Sequence, residues 1–352
     1  MPLNREFWRG KRVLITGHTG FKGAWLTRWL ARLGSDVFGL SLPPPTNPNL
    51  HMMLATPLAG EYIIDLSDAE ATRRAVSDAR ADIVLHLAAQ SLVPESYRDP
   101  VTTFRTNVMG TVHLLDALRS TTVQAVAKAV IVVTTDKVYA NDETGHAFDE
   151  TDRLGGDDPY SASKAAVEII VHSWRRSFMS DGPPLGTVRA GNVIGGGDWA
   201  LHRLIPDIVR AARSGKSLNI RRPDASRPWQ HVLDPLHGYL LYAQALASGE
   251  VLPPSLNFAP ADAKSMTVRE IADSLTQAFD IAGWQHVPTP ETKEKDALAL
   301  DASLAFRALG WKPNFSNIDA IANTVAWYKA WAHGDDVKVL TDRQIASFED
   351  TI

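Results

Sequence analysis

Tyr160 and Lys164 stand four residues apart in YSASK, so a helix there carries a phenol and an ammonium on one face. A phenol with an ordinary pKa near ~10 works as a general base at neutral pH only where its anion is stabilised, and a neighbouring ammonium supplies that. A solvated helix-surface pair is the plainer alternative. A second cluster comes earlier in the chain. The stretch VIVVTTDKVY (130–139) opens with four β-branched apolar residues and turns into Thr134, Thr135, Asp136 and Lys137. Its first half reads as an inner strand of a parallel sheet, which puts its polar end at the carboxyl edge where doubly wound folds bind ligands. An alcohol, an acid and an amine at one strand end can hold a hydroxyl and move protons beside it.

The stretch GHTGFKG spaces Gly17, Gly20 and Gly23 three apart, with Thr19, Phe21 and Lys22 among them. It lies between the strand KRVLITG (11–17) and the amphipathic helix GAWLTRWLARLG (23–34). Absent side chains permit a sharp turn close to a ligand, and a helix N-terminus offers free N–H groups to a pyrophosphate. In this position the triplet points to a dinucleotide, with a purely structural turn as the alternative. Where an acid or an arginine would read the ribose 2′-oxygen, the second strand ends in Ser41; NAD is favoured and NADP stays open.

The elements that must position these groups alternate. Further strands are expected at DVFGLSL (36–42), YIIDLSD (62–68), ADIVLHLAA (81–89) and LGTVRAGNVIG (185–195), with helices at about 101–119 and 160–178. Strands alternating with helices imply an α/β fold of Rossmann type, a doubly wound parallel sheet covered on both faces. After Gly195 the pattern shortens and becomes rich in Arg, Pro and Trp. The expected division is a dinucleotide-binding domain over 1–195 and a smaller C-terminal substrate-binding lobe over 196–352, with SLNFAP (255–260) returning to the sheet as an extra strand. Helices are expected in the lobe at 267–279 and 318–334.

At 352 residues, 45% hydrophobic and 22% charged, the composition is that of a globular chain long enough for two lobes. A formal charge of −4 gives no electrostatic reason to expect a nucleic acid or an anionic membrane as partner. The absence of cysteine excludes disulfides and thiolate-held zinc or iron–sulfur centres. MPLNREFWRG is too polar for a signal peptide and no apolar run reaches the ~20 residues of a membrane helix, so a cytoplasmic protein is expected. Eleven histidines show no paired His/carboxylate spacing, and no metal is expected. Cations in GKSLNIRRPDASRPWQHV, namely Lys216, Arg221, Arg222 and Arg227, would suit a pyrophosphate, or simply a solvated face.

The glycine spacing together with Tyr160 and Lys164 resembles the short-chain dehydrogenase/reductase superfamily. GHTGFKGAWL, TTDKVY, RAGNVIGGGDW, RRPDASRPWQHV and LDASLAFRALGWKP are similar to the sugar-nucleotide 4,6-dehydratases of its extended branch. Within these the CDP-glucose group carries an acid followed by lysine, and the similarity covers nearly the whole chain. The resemblance implies NAD-dependent oxidation at C4 of CDP-glucose, loss of water across C5–C6 and hydride return to C6. It makes Tyr160 the catalytic base, Lys164 the cofactor-binding lysine and Thr135 the partner of the C4 hydroxyl, with Thr134 near the cofactor. Asp136 would protonate the C6 oxygen; Lys137 would be the C5 base, or an electrostatic group with the base elsewhere. Asp65, with Leu66 beside it, would meet the adenine, although DLSD also suits a helix cap. Leu87, Ala88, Ala89 and Gln90 would run under the cofactor. Asn192 and Arg227 would contact the nucleotide, Leu204, Ile205 and Pro206 the base, and Asn107 would lie near the active site; Trp199 and His231 join the substrate set. His86 and His113 read as satisfied structural histidines. The resemblance also implies a homodimer or higher oligomer through a four-helix bundle of 101–119 and 160–178. A sugar-nucleotide 4-epimerase and a non-catalytic dinucleotide-binding protein are the competing readings.

Overall fold

Seven short strands, most of them runs of Val, Ile and Leu, form one parallel sheet in the computed structural model, which describes residues 2–124, 126–260, 266–281, 283–287 and 298–352. They are β1 (Arg12–Thr16), β2 (Asp36–Ser41), β3 (Gly60–Ile63), β4 (Ile83–His86), β5 (Ala129–Val133), β6 (Leu185–Ala190) and β7 (Ser255–Phe258), in the order β7-β6-β5-β4-β1-β2-β3. Every pairing is parallel, so each strand needs a crossover, and crossover helices cover both faces. β5 shows the result. All its residues are buried, with Ala129, Ile131 and Val133 packed into one core and Val130 and Val132 into the other. The strand order reverses between β1 and β4, which is the switch point where such sheets bind ligands.

The helices that carry the candidate residues differ in how they begin. α1 (Phe21–Leu33) follows Gly20, which provides no side-chain cap, and ends at Gly34 in the left-handed region. α2 (Ala69–Ala79) is capped by Asp68. The helix expected at about 101–119 is broken into Pro100–Phe104, a π-helical turn Arg105–Met109 and α3 (Gly110–Leu118). α4 (Pro159–Ser177) is capped by Asp158 and begins with proline, a good first-turn residue. The third strand stops at Ile63, so Asp65 sits in the loop beyond it.

The longer helices after β6 are α5 (Leu204–Ser214), α6 (Leu233–Ala247), α7 (Val268–Ala278), α8 (Asn317–His333) and α9 (Val337–Glu349). α6 is buried at every residue from Leu233 to Leu246 and packs beneath β5. It is buried all round, Asp234, His237 and Gln244 included, so it lacks the one-sided stripe by which a surface helix is recognised. Three short strand pairs wall the carboxyl edge: Val193–Ile194 with Gln230–His231, Ser226–Arg227 with Met266–Thr267, and Leu218–Ile220 with Trp284–His286.

Candidate active site

A cavity of about 510 Å³ opens at the carboxyl edge of the sheet, between the glycine turn, the ends of β4 and β5, the start of α4 and the short strand pairs. Gly17, Thr19, Gly20, Phe21, Lys22 and Gly23 line it. Gly17 has φ +78°, and a Cβ there would lie 2.7 Å from the amide nitrogen of Ala88; at Gly23 a Cβ would fall 2.1 Å from the Gly17 carbonyl. Both positions therefore demand glycine, one for its backbone and both for close packing. Because Gly20 offers no side-chain cap, the first-turn N–H groups of α1 remain available to an anion, which is the fit expected for a dinucleotide pyrophosphate.

Asp65, Leu66, Leu87, Ala88 and Ala89 line the same cavity. Asp65 accepts from the Ser67 amide at 2.8 Å, whereas Asp68 caps α2, which separates the two readings of DLSD. Ser41 bonds Thr19 through their hydroxyls at 2.8 Å. Gln90 is turned away from the cavity: its side chain donates to Thr103 at 2.9 Å and its backbone clasps Asn107. Asn107, in the π-helical turn, is buried and also donates to Ser163 at 2.9 Å, tying the loop after β4 to α4. It positions elements and does not line the cavity.

The end of β5 brings the reactive groups together. Thr135, Lys137, Tyr160 and Lys164 all line the cavity, and Asp136 lies fully buried among them. Asp136 Oδ1 accepts from the Thr135 hydroxyl at 2.9 Å and from Lys137 Nζ at 3.0 Å; its Oδ2 is buried without a partner. Lys137 Nζ also reaches Asn192 Oδ1 at 3.4 Å. Lys164 donates to the Val133 carbonyl at 3.0 Å. Burial lowers the Lys164 pKa to about 8 and raises that of Tyr160 to about 12, the Thr135 hydroxyl pulling the phenol the other way. Burial and the positive charges of Arg203, Lys164 and Lys137 lower Lys22 to about 7, against the pull of Asp136.

Thr134 borders the cavity, but its hydroxyl faces inward. It donates to Glu168 at 2.5 Å, and Glu168 forms a bidentate pair with Arg189, both bonds at 2.9 Å. Arg189 then donates to Tyr139 at 2.7 Å. Tyr160, Lys164 and Glu168 follow one another at four-residue intervals on α4, so this buried network fixes the face that presents the first two.

On the opposite wall stand Asn192, Leu204, Ile205, Pro206, Arg221 and Arg227. Three expected substrate residues stand elsewhere. Lys216 is exposed beyond α5. Trp199 is buried against Trp331 and Tyr328, and His231 lies between Trp25 and Phe315 in the core. Aromatic and imidazole rings within a matched stretch were here claimed by packing. The wall also includes residues that no local spacing announces. Arg203 donates to Asp198 and to Ser91 at 2.9 Å each, bridging the loop after β4 to the start of α5, and all three line the cavity. His86 and His113 are structural: the first bonds Thr16 and Thr111, the second the Leu66 carbonyl.

Comparison with known proteins follows this geometry. The chain is 41% identical over 355 aligned residues to a CDP-glucose 4,6-dehydratase of Salmonella typhimurium, with 98% of each chain covered. It resembles the solved dTDP-glucose 4,6-dehydratase of Streptomyces venezuelae, which has NAD bound, at 26% identity and a TM-score of 0.78, over 92% of this chain and 98% of that one. It shares its fold with a UDP-glucose 4-epimerase of Thermotoga maritima, at 22% identity and a TM-score of 0.79, over 91% and 99% of the two chains. The model of the GDP-mannose 4,6 dehydratase family matches residues 14–324, and the chain belongs to that family.

Proposed function

We propose that this chain is a hydro-lyase that converts CDP-glucose to CDP-4-dehydro-6-deoxyglucose with NAD as cofactor. The observation that carries this reading is the meeting of Thr135, Lys137, Tyr160 and Lys164 in one cavity beside the glycine turn, with Asp136 buried next to it and bonded to Thr135 and Lys137. The relatives named 4,6-dehydratases, on CDP-glucose at 41% identity and on dTDP-glucose at 26%, support it. A 4-epimerase would need the tyrosine, lysine and threonine but not an acid joined to an amine.

NAD, held by the glycine turn and Lys164, would supply the hydride acceptor for C4 and the hydride donor for C6. The protein's residues handle the protons. Burial alone keeps the Tyr160 phenol protonated at neutral pH, so as a base it needs the positive charges of the Lys164 ammonium and of oxidised NAD. The phenolate they stabilise accepts the C4 hydroxyl proton, with Thr135 holding that oxygen. The 4-keto group then acidifies C5–H. Lys137 already donates to Asp136, so moving that one proton along the 3.0 Å bond yields an amine base and a carboxylic acid together. The amine removes the C5 proton while the Asp136 carboxyl, protonated on Oδ1, protonates the C6 hydroxyl, which leaves as water. The otherwise unpartnered Oδ2 can accept from that hydroxyl and hold it in place. Lys137 returns its proton to C5 as the hydride reaches C6. The proton held by Tyr160 is then exchanged through solvent to restore the Lys137 ammonium beside the Asp136 carboxylate.

Arg221 and Arg227 would hold the substrate pyrophosphate, with Asn192 also on the nucleotide, and Leu204, Ile205 and Pro206 would lie against the base. The sheet with the glycine turn would form the dinucleotide-binding domain, and the elements walling its carboxyl edge the substrate lobe. Apolar side chains exposed on the elements around α3 and on α4, namely Val101, Phe104, Met109 and Ile169, support a dimer through those helices. No helix among the described residues is long and apolar enough to cross a membrane, in keeping with a biosynthetic enzyme of the cytoplasm. A panel of CDP-, dTDP-, UDP- and GDP-glucose tests the substrate: CDP-glucose should give the largest rise in thermal midpoint and be the one turned over. Turnover of another member in its place would reject the assignment.

A further inference from the structure

His18, His51 and Glu61 reach one point from three elements: the glycine turn, the short helix Leu50–Leu54 and β3. Glu61 Oε1 lies 2.8 Å from His18 Nε2 and 3.4 Å from His51 Nε2, and the three ligand atoms fall within 4.8 Å of one another. None of the three residues lines the catalytic cavity. The place of His18 is built rather than incidental. Its ring is fully buried over Gly39 of β2, where a Cβ would come within 2.6 Å of the imidazole. The strand leaves that position bare to seat the ring.

We propose that His18, His51 and Glu61 bind a divalent ion of the zinc type. Two imidazoles and one carboxylate are a donor set suited to zinc, and the fourth, tetrahedral position falls to water because the Glu61 side chain is 40% exposed. Bonds of ~2.0–2.1 Å in tetrahedral geometry place ligand atoms about 3.3 Å apart. The His51–Glu61 separation of 3.4 Å already matches, the His18–Glu61 pair need open by about half an ångström, and the two imidazole nitrogens, within 4.8 Å of each other, would settle to the same spacing around the ion. The ion would tie the glycine turn to β3 immediately behind Thr19, whose hydroxyl is bonded to Ser41.

The test uses the full chain, freed of metal by chelator dialysis and titrated with zinc by calorimetry, then loaded with cobalt for its visible spectrum. One zinc per chain is expected, together with the intense cobalt bands of a tetrahedral site. His51→Ala and Glu61→Gln, both at the open side of the cluster, should each weaken zinc binding at least about tenfold and abolish the cobalt bands. His333→Ala, an exposed histidine on α8, should bind as the unaltered chain does. Absence of zinc binding by the unaltered chain, or binding that both cluster variants retain, would overturn the site.

Discussion

Lys137 donates to Asp136 at 3.0 Å, and the oxygen it leaves free on that carboxylate is buried without a partner. The acid is thus held on one side and unsatisfied on the other, which suits a group waiting for a substrate hydroxyl. Replacement of Asp136 by Asn keeps the shape and removes the proton. Dehydration should fall by ~10²–10⁴-fold, while C4 oxidation persists as enzyme-bound NADH seen by its absorbance in a single turnover. Loss of both together would assign Asp136 to the oxidation step.

Lys137→Met removes the amine that the account makes the C5 base. The variant should still oxidise C4, yet fail to exchange the C5 hydrogen of the bound ketone with deuterated solvent, as read by mass spectrometry. Exchange at the unaltered rate would move the base elsewhere and leave Lys137 an electrostatic role.

The pH dependence of kcat/KM follows from Lys164. Burial lowers its pKa from the ordinary lysine value to about 8, so in the free enzyme the ammonium is present below that pH and lost above it. Activity should decline above pH 8, and Lys164→Arg, which stays charged, should keep whatever activity it retains level through that range. An unchanged alkaline limb in the arginine variant would assign the limb to another group.

Glu168 and Arg189 form a buried pair behind the active face of α4, each side chain less than a twentieth exposed. Glu168→Ala leaves the guanidinium uncompensated and unseats Thr134 and Thr187. A loss of about 3–5 kcal/mol in urea unfolding is expected. A loss below about 1 kcal/mol would show that the network relaxes around the gap.

Acid stability turns on buried histidines. Burial holds His86 and His231 at about 3 and His237 at about 4, so on unfolding below about pH 6.5 each gains a proton. Asp234, pushed up to about 7 by burial, carries a proton in the fold and releases one, with the opposite sign. The balance is about two protons taken up on unfolding between pH 6 and 5, or roughly 2–3 kcal/mol of stability lost across that unit from these four groups. Unfolding free energies measured at the two pH values check it; equal values would contradict it.

Much of this site was legible because its chemistry is local. The glycine turn, the Thr135–Lys137 run and the Tyr160–Lys164 pair each fit within a few residues, and strand ends placed them at one edge. Arg203 was not legible, since its partners Asp198 and Ser91 lie at spacings that carry no periodic signal. Asn107 and Gln90 resembled ligand contacts but bond each other, because a loop crossing this edge must satisfy its own backbone. Trp199 and His231 went to the core for the area they bury. α6 escaped notice because a helix buried all round has no polar face to give it a period. The three ligands of the proposed ion meet only once β3 lies beside β2.

The central claim is the internal cycle, and CDP-glucose carrying deuterium at C4 tests it most directly. The account predicts a 4-keto-6-deoxy product with that deuterium at C6 and no net NADH. Deuterium retained at C4 of an epimerised sugar, or released into free NADH, would contradict it.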